Sequence, residues 1–210
     1  MLSNKLIGVV YFFFILIFWF GNYSIQAGSI INSTHDFSTS EQNNGEVCIY
    51  CHTPHNANGS TTVLWNRDLK DPSVYTLYNS STLEEQPVGP GSVSLLCLCC
   101  HDGIISTENI LPDFSFHGKS PECTNCHSML DPAAAPFTDL SDDHPVSIPY
   151  SLVSPGLHER PINDVFPNGV RLFEGRVECA SCHNVHDPDN RPFLRIADSG
   201  SALCYTCHIK

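Results

Sequence analysis

Positive charge is scarce in this chain: ten lysines and arginines stand against 22 aspartates and glutamates, a formal net charge of −12. Such a surface repels phosphate backbones and anionic lipid faces, so nucleic acid is excluded as a partner. Methionine is scarcer still, present only as Met1 and Met129. Beyond residue 30 no apolar run approaches the roughly 20 residues that cross a bilayer as a helix. No layered architecture of long helices or strands is visible either. Fifteen prolines, 13 glycines and many polar turn residues leave little from which to build a conventional core. Something other than side chains must supply buried apolar mass.

The one long apolar run lies at the start. Lys5 precedes residues 6–20, all apolar or glycine, and a polar break at Gly21 and Asn22 leads to Ser24-Ile25-Gln26-Ala27. This is the pattern of an export signal, with removal expected after Ala27. An uncleaved anchor is the alternative, though the run is short of the usual span of about 18 residues or more. Cys48 is the first cysteine, too far from the cut for a lipoprotein signal. The mature chain is expected outside the cytoplasmic membrane, extracellular or at the cell surface, alternatively in a periplasm.

What the chain has in abundance is cysteine and histidine, eleven of each. Ten of the cysteines fall into five Cys-x-x-Cys-His pentapeptides. These are Cys48, Cys51 and His52; Cys97, Cys100 and His101; Cys123, Cys126 and His127; Cys179, Cys182 and His183; and Cys204, Cys207 and His208. Two thiols three positions apart reach the two vinyl groups on one edge of a porphyrin, and the following imidazole swings under the ring to ligate iron. Zinc ribbons pair their Cys-x-x-Cys units, so five units would leave one over and five histidines unexplained. A disulfide framework suits an exported chain but explains no histidine. The reading is therefore five covalent haems c. Cys99, inside the second motif, lacks the spacing to replace Cys100 and reads as a buried spare thiol.

Five motif histidines leave His35, His55, His117, His144, His158 and His186 for the opposite faces of iron. Since Met1 departs with the signal, bis-histidine ligation is expected, with lower potentials than histidine/methionine ligation. His55 follows His52 by three residues, and His186 follows His183 by three. Three residues cannot wrap around a porphyrin edge, so His55 and His186 are expected to serve a neighbouring haem. His117 precedes Cys123 by six residues and suits the same or an adjacent haem. Pro145 keeps His144 in an extended stretch, and His35 lies on an N-terminal arm. His158 is taken as the non-ligand.

The runs at 48–56, 64–67, 94–103, 143–147, 177–188 and 201–210 resemble the extracellular multihaem cytochromes of metal-reducing bacteria, in particular the small filament-forming (nanowire) OmcE type. The resemblance implies a head-to-tail polymer of copies of the chain, with stacked haems forming one wire. It further implies that His35 ligates a haem of the adjacent subunit, with His55, His144 and His186 as distal ligands inside the chain. The site at Cys123, Cys126 and His127, with His117 nearby, departs from the four-haem pattern of that type.

The expected fold is mostly coil with short α-helices around the motifs and a short strand pair within 169–177, organised around a haem stack rather than a side-chain core. After the signal (1–27), a single multihaem cytochrome domain (28–210) divides into an N-terminal arm (28–44), a first haem segment (45–128), a Pro- and Asp-rich connector (129–176) and a C-terminal haem pair (177–210). The function expected is electron transfer rather than catalysis, as a filament subunit or as a monomeric periplasmic shuttle. Redox partner cytochromes and extracellular electron acceptors would be its partners. A multihaem reductase of the nitrite reductase kind is disfavoured. Such enzymes resemble much larger chains, and their catalytic haem has lysine where all five motifs here have histidine.

Overall fold

The computed structural model describes residues 29–36, 47–61, 63–102, 138–151 and 154–209. The signal segment, Met129, His117 and the motif of Cys123, Cys126 and His127 lie outside the described residues. Coil dominates what is described. Three short helices interrupt it, α1 (Ser92–His101), α2 (Cys179–Cys182) and α3 (Ala202–Cys207), and each carries one haem motif. A 3-10 turn at Cys48–Tyr50 carries the first motif. Among the described residues no helix is long and apolar enough to cross a membrane.

A two-stranded antiparallel sheet joins β1 (Ile148–Pro149) to β2 (Arg176–Val177), with Ile148 opposite Val177 and Pro149 opposite Arg176. The strand expected within 169–177 is there at its end, but its partner comes from 28 residues upstream in the connector. Pro149 tolerates this place because a two-residue ladder asks little of its missing N–H.

Two small apolar clusters replace a single core. Tyr75, Leu95, Leu98 and Leu140 form the first, with Leu69, Leu77 and Val146 packed against it. Tyr150, Phe166, Val170 and Leu172 form the second, flanked by Leu157, Val177, Ile196, Leu203 and Cys207. Each cluster grips one motif helix: Leu95 and Leu98 are one face of α1, and Leu203 and Cys207 belong to α3. Five of the eight cluster residues come from the stretch read as a connector, which is thus scaffold for both haem segments.

The helices start where their first N–H groups find acceptors. For α2, Glu178 and Ser181 form a reciprocal cap: the Glu178 carboxylate accepts from the Ser181 N–H, and the Ser181 hydroxyl accepts from the Glu178 N–H at 2.8 Å. For α3 the Asp198 carboxylate accepts from the Leu203 N–H at 3.0 Å. α2 and α3 end at His183 and His208, whose backbones turn extended.

A buried polar knot ties α1 to α2. The Glu178 carboxylate accepts from the Ser94 hydroxyl and from the Ser147 hydroxyl at 2.8 Å. Ser94 Oγ accepts in turn from the Cys179 N–H at 3.0 Å, and Ser147 Oγ from the Gly91 N–H at 2.5 Å. A Cβ at Gly91 would collide with the Glu178 carboxylate, so a side chain there would have to displace the centre of the knot.

Candidate functional site

Each described motif closes the same local ring. The N–H of His52, His183 and His208 donates to the carbonyl of the first cysteine of its own motif, at 2.9, 3.1 and 2.9 Å. The two thiols and the imidazole are thereby gathered over one turn. His52, His183 and His208 then enter single antiparallel bridges with Trp65, Leu194 and Leu157. His101 differs in staying within its helix.

The motifs at 48–52 and 179–183 are built alike, down to the chain that wraps them. Thr53 N–H donates to the Leu64 carbonyl and Asn66 N–H to that of Cys51, at 2.8 and 3.0 Å. At the other motif, Asn184 N–H donates to Phe193 and Arg195 N–H to Cys182, at 2.7 and 2.8 Å. Leu64 and Phe193 both hold positive φ, 54° and 61°. An arginine follows in each wrap: Arg67 Nε donates to the Tyr50 carbonyl at 3.3 Å, and Arg195 Nε to that of Ala180 at 2.7 Å. Both units read Cys-x-x-Cys-His-x-x-His.

The same wraps orient the imidazoles. His52 Nδ1 lies 2.6 Å from the Val63 carbonyl, and His183 Nδ1 lies 2.9 Å from that of Pro192. His144 Nδ1 is 3.1 Å from the Pro145 carbonyl. A carbonyl can only accept, so Nδ1 carries the proton and Nε2 is left with its lone pair. That tautomer is the one a metal-ligating histidine needs.

Histidines from remote segments meet the motif histidines in three places. His35 and His101 have ring centroids 6.0 Å apart, His52 and His186 6.1 Å, and His144 and His208 6.5 Å. An iron between two imidazole nitrogens, each at about 2 Å, sets the ring centres roughly 6 Å apart. The interplanar angles are 42°, 19° and 71°. Rotation about a shared nitrogen–iron–nitrogen axis permits any of these. The donor geometry fits haem iron at all three places. His55 and His183 are both exposed and no ring pairing joins either to another histidine among the described residues. His158 is exposed as well, and its backbone N–H donates to the Cys207 carbonyl at 2.8 Å.

Loss of water around the rings lowers all three of the non-motif imidazoles in these pairs, although His144 and His186 still reach the surface. His35 is pushed down to about 4, first by burial and then by His101 and His186. His186 is lowered by burial and by His52. His144 is lowered by burial and, more weakly, by His208, against an upward pull from the Pro145 carbonyl.

The thiols mark the order of the motifs in space. Cys51 is held up at about 11, chiefly by burial and next by Cys100 beside it. Across the α1–α2 contact Cys97 faces Cys179, which raises the Cys97 thiol and lowers that of Cys179. Cys182 is raised by burial, then by Cys179 and by Cys204 of the last motif. Among the described motifs the order thus runs 48–52, 97–101, 179–183, 204–208. Cys48 and Cys204, at its two ends, are exposed, and the six motif cysteines between are partly covered. Cys99 is buried and donates to the Leu96 carbonyl at 2.9 Å, a spare thiol packed inside α1.

None of the nine described cysteines forms a disulfide. Among the described residues no three His, Cys, Asp or Glu side chains converge as a zinc shell requires. Sequence reasoning passed over three buried charges beside these motifs: Arg67, Glu178 and Asp102, the last paired with Lys70. Glu178 and Asp102 each flank a motif in sequence, but nothing in the sequence marked them as buried.

Residues 172–210 match a family model described as a doubled CXXCH motif. The match takes in the last two motifs and, with the others, indicates covalently bound haem c and a multihaem c-type cytochrome that transfers electrons. No curated protein matches the chain.

Proposed function

We propose that the chain carries five covalent haems, each with histidine on both faces of iron, and passes electrons along them in a row. The observation that carries this reading is the repeated meeting of one motif histidine with one remote histidine at 6.0 to 6.5 Å. Bound haem supplies a one-electron iron couple. The chain's own residues do the rest. The cysteines would tether the haem and the paired histidines would ligate its iron, while the carbonyls of Val63, Pro192 and Pro145 hold the Nδ1 protons of His52, His183 and His144 and leave their Nε2 atoms free to donate. With both faces filled, no position is open to a substrate, which favours electron transfer over catalysis.

By this reading His186 serves the site at 48–52, His35 that at 97–101 and His144 that at 204–208. The like construction of the units at 48–52 and 179–183 supports a reciprocal exchange, with His55 serving the site at 179–183. His117 is assigned to the site of Cys123, Cys126 and His127. The close succession of sites suits electron hopping, and the exposed ends at Cys48 and Cys204 suit entry and exit. Export past the cytoplasmic membrane, to redox partner cytochromes or extracellular acceptors, completes the proposal.

Whether the row ends within one molecule turns on His35. Its place beside His101 of its own chain favours a carrier complete in itself. The second reading is a head-to-tail filament of copies, favoured by the exposure of both row ends, since a polymer needs donor and acceptor edges that do not close into a ring. The test is haem counting by mass and pyridine haemochrome on protein matured in a host that attaches haem c, with electron microscopy of wild type and His35→Ala. Five haems on uniform small particles support the self-contained carrier. Filaments that vanish in His35→Ala support the second reading instead. A chain without covalent haem overturns both.

A further inference from the structure

The two strongest buried charges that lack an ionic partner sit at different points of the haem row. Arg67 is 5% exposed, and among the described residues no carboxylate pairs with it. Its Nε donates to the Tyr50 carbonyl, inside the first Cys-x-x-Cys loop. Its charge reaches Cys51 of that motif and Cys99 and Cys100 of the next. Glu178 is 3% exposed and likewise has no cation, only the hydroxyls of Ser94 and Ser147 and the Ser181 N–H. It immediately precedes Cys179, and its link to Ser94 reaches the helix that carries Cys97.

Other charges nearby count for less. Asp102 is buried beside His101, but Lys70 pairs with it, and the two fields largely cancel at a distance. Arg195 holds the position in the 179–183 wrap that corresponds to Asn66 and also reaches into its motif loop, yet it is only half-buried and solvent screens it. A charge removed from water, with no counter-charge, acts at far lower effective dielectric. Reduction of a haem adds one negative charge. A buried cation therefore favours the reduced state and raises the potential, and a buried carboxylate lowers it.

We propose that Arg67 and Glu178 build a potential step into the row, Arg67 raising the haem at 48–52 and Glu178 lowering that at 179–183, so that electrons run downhill toward the N-terminal end. The inference rests on the haem reading above and adds a direction to it.

The experiment uses the holoprotein. Wild type, Arg67→Gln, Arg67→Lys, Glu178→Gln and Glu178→Asp are titrated spectroelectrochemically. Individual haems are assigned with variants lacking one attachment pair, Cys48→Ser with Cys51→Ser and Cys179→Ser with Cys182→Ser. Haem content is first fixed by pyridine haemochrome, so that a chain without haem is recognised as a failure of the haem reading itself. Arg67→Gln is expected to lower the potential at 48–52, and Glu178→Gln to raise it at 179–183. The charge-keeping Lys and Asp variants are expected to stay near wild type, and the haem at 204–208 to stay unmoved throughout. Potentials unmoved by either glutamine variant overturn the proposal. So does a shift that the Asp or Lys variant shares, which is the mark of packing rather than charge. The two arms involve separate segments, so a folding defect in the Glu178 variants leaves the Arg67 arm decisive.

Discussion

At the scale of single residues, the axial histidines carry the sharpest expectations. His186 comes from the tail of the fourth motif yet its ring lies 6.1 Å from that of His52 of the first, nearly parallel to it. His186→Ala is expected to leave every thioether intact and to turn one haem high-spin, read by electron paramagnetic resonance and mass spectrometry. Low-spin signals from all haems would refute the pairing. The same rings make stability depend on pH. Before iron binds, burial holds His35 at about 4 in the folded chain, against about 6.5 when unfolded. Between those values the unfolded chain binds the extra proton. The contribution is therefore whole above about 6.5 and drains away as pH falls through 4. His144 and His186 act in the same direction, and iron ligation extends the window downward. Thermal unfolding midpoints should drop between about pH 7 and pH 4.5, and His35→Ala should flatten that slope. An identical slope in the variant would count against His35 as a source.

At the scale of elements, α1 shows how a short helix is held without a conventional core. Its buried face is Ser94, Leu95, Leu98 and Cys99, with Leu98 1% exposed among Tyr75, Leu95 and Leu140. Truncating such a leucine removes transfer energy and leaves a void, together about 2–5 kcal/mol. Leu98→Ala should therefore lower the free energy of denaturant unfolding by that much, with the spectral signature of the 97–101 haem disturbed before the others. Undiminished stability would mean that the haem alone holds the helix. The motif helices were legible in the sequence, because Cys-x-x-Cys-His needs a helical turn to bring both thiols to one edge. The partner of β2 was not. Val146, Ile148 and Tyr150 alternate as a strand would, but Pro149 in their midst argues against one, and the Glu178 knot, through Ser147, helps bring them alongside Arg176 and Val177.

At the scale of the whole molecule, charge governs encounter. With a net charge of −12, the surface draws cations and repels anions over a Debye length of about 10 Å at 0.1 M salt. Reduced protein should therefore pass electrons faster to a small cationic oxidant than to an anionic one of equal driving force. Stopped-flow rates at rising salt should converge as the field is screened. Equal rates at low salt would show that the exposed ends of the row are not acidic, whatever the total charge. The connector belongs to this scale too. Rich in proline and aspartate, it also supplies Leu140, Tyr150, Phe166, Val170 and Leu172, which pack against the helices of both flanking segments.

The residues alone determined the chemistry. Covalent attachment and ligation are local demands, met by five residues in a row, and such demands are written as spacing. The inability of His186 to serve its own motif was legible for the same reason, because chain reach is a matter of counting. Which motif histidine His186 meets was a matter of tertiary structure, as was the meeting of His35 with His101 and of His144 with His208. These pairs join segments 64 to 134 residues apart, and no local preference encodes them. They are selected only when the Tyr150 cluster, the Glu178 knot and the wraps at 63–67 and 192–195 pack at once. The burial of Arg67 and Glu178 was decided at that same level, since a charge is removed from water by everything around it rather than by its neighbours in sequence.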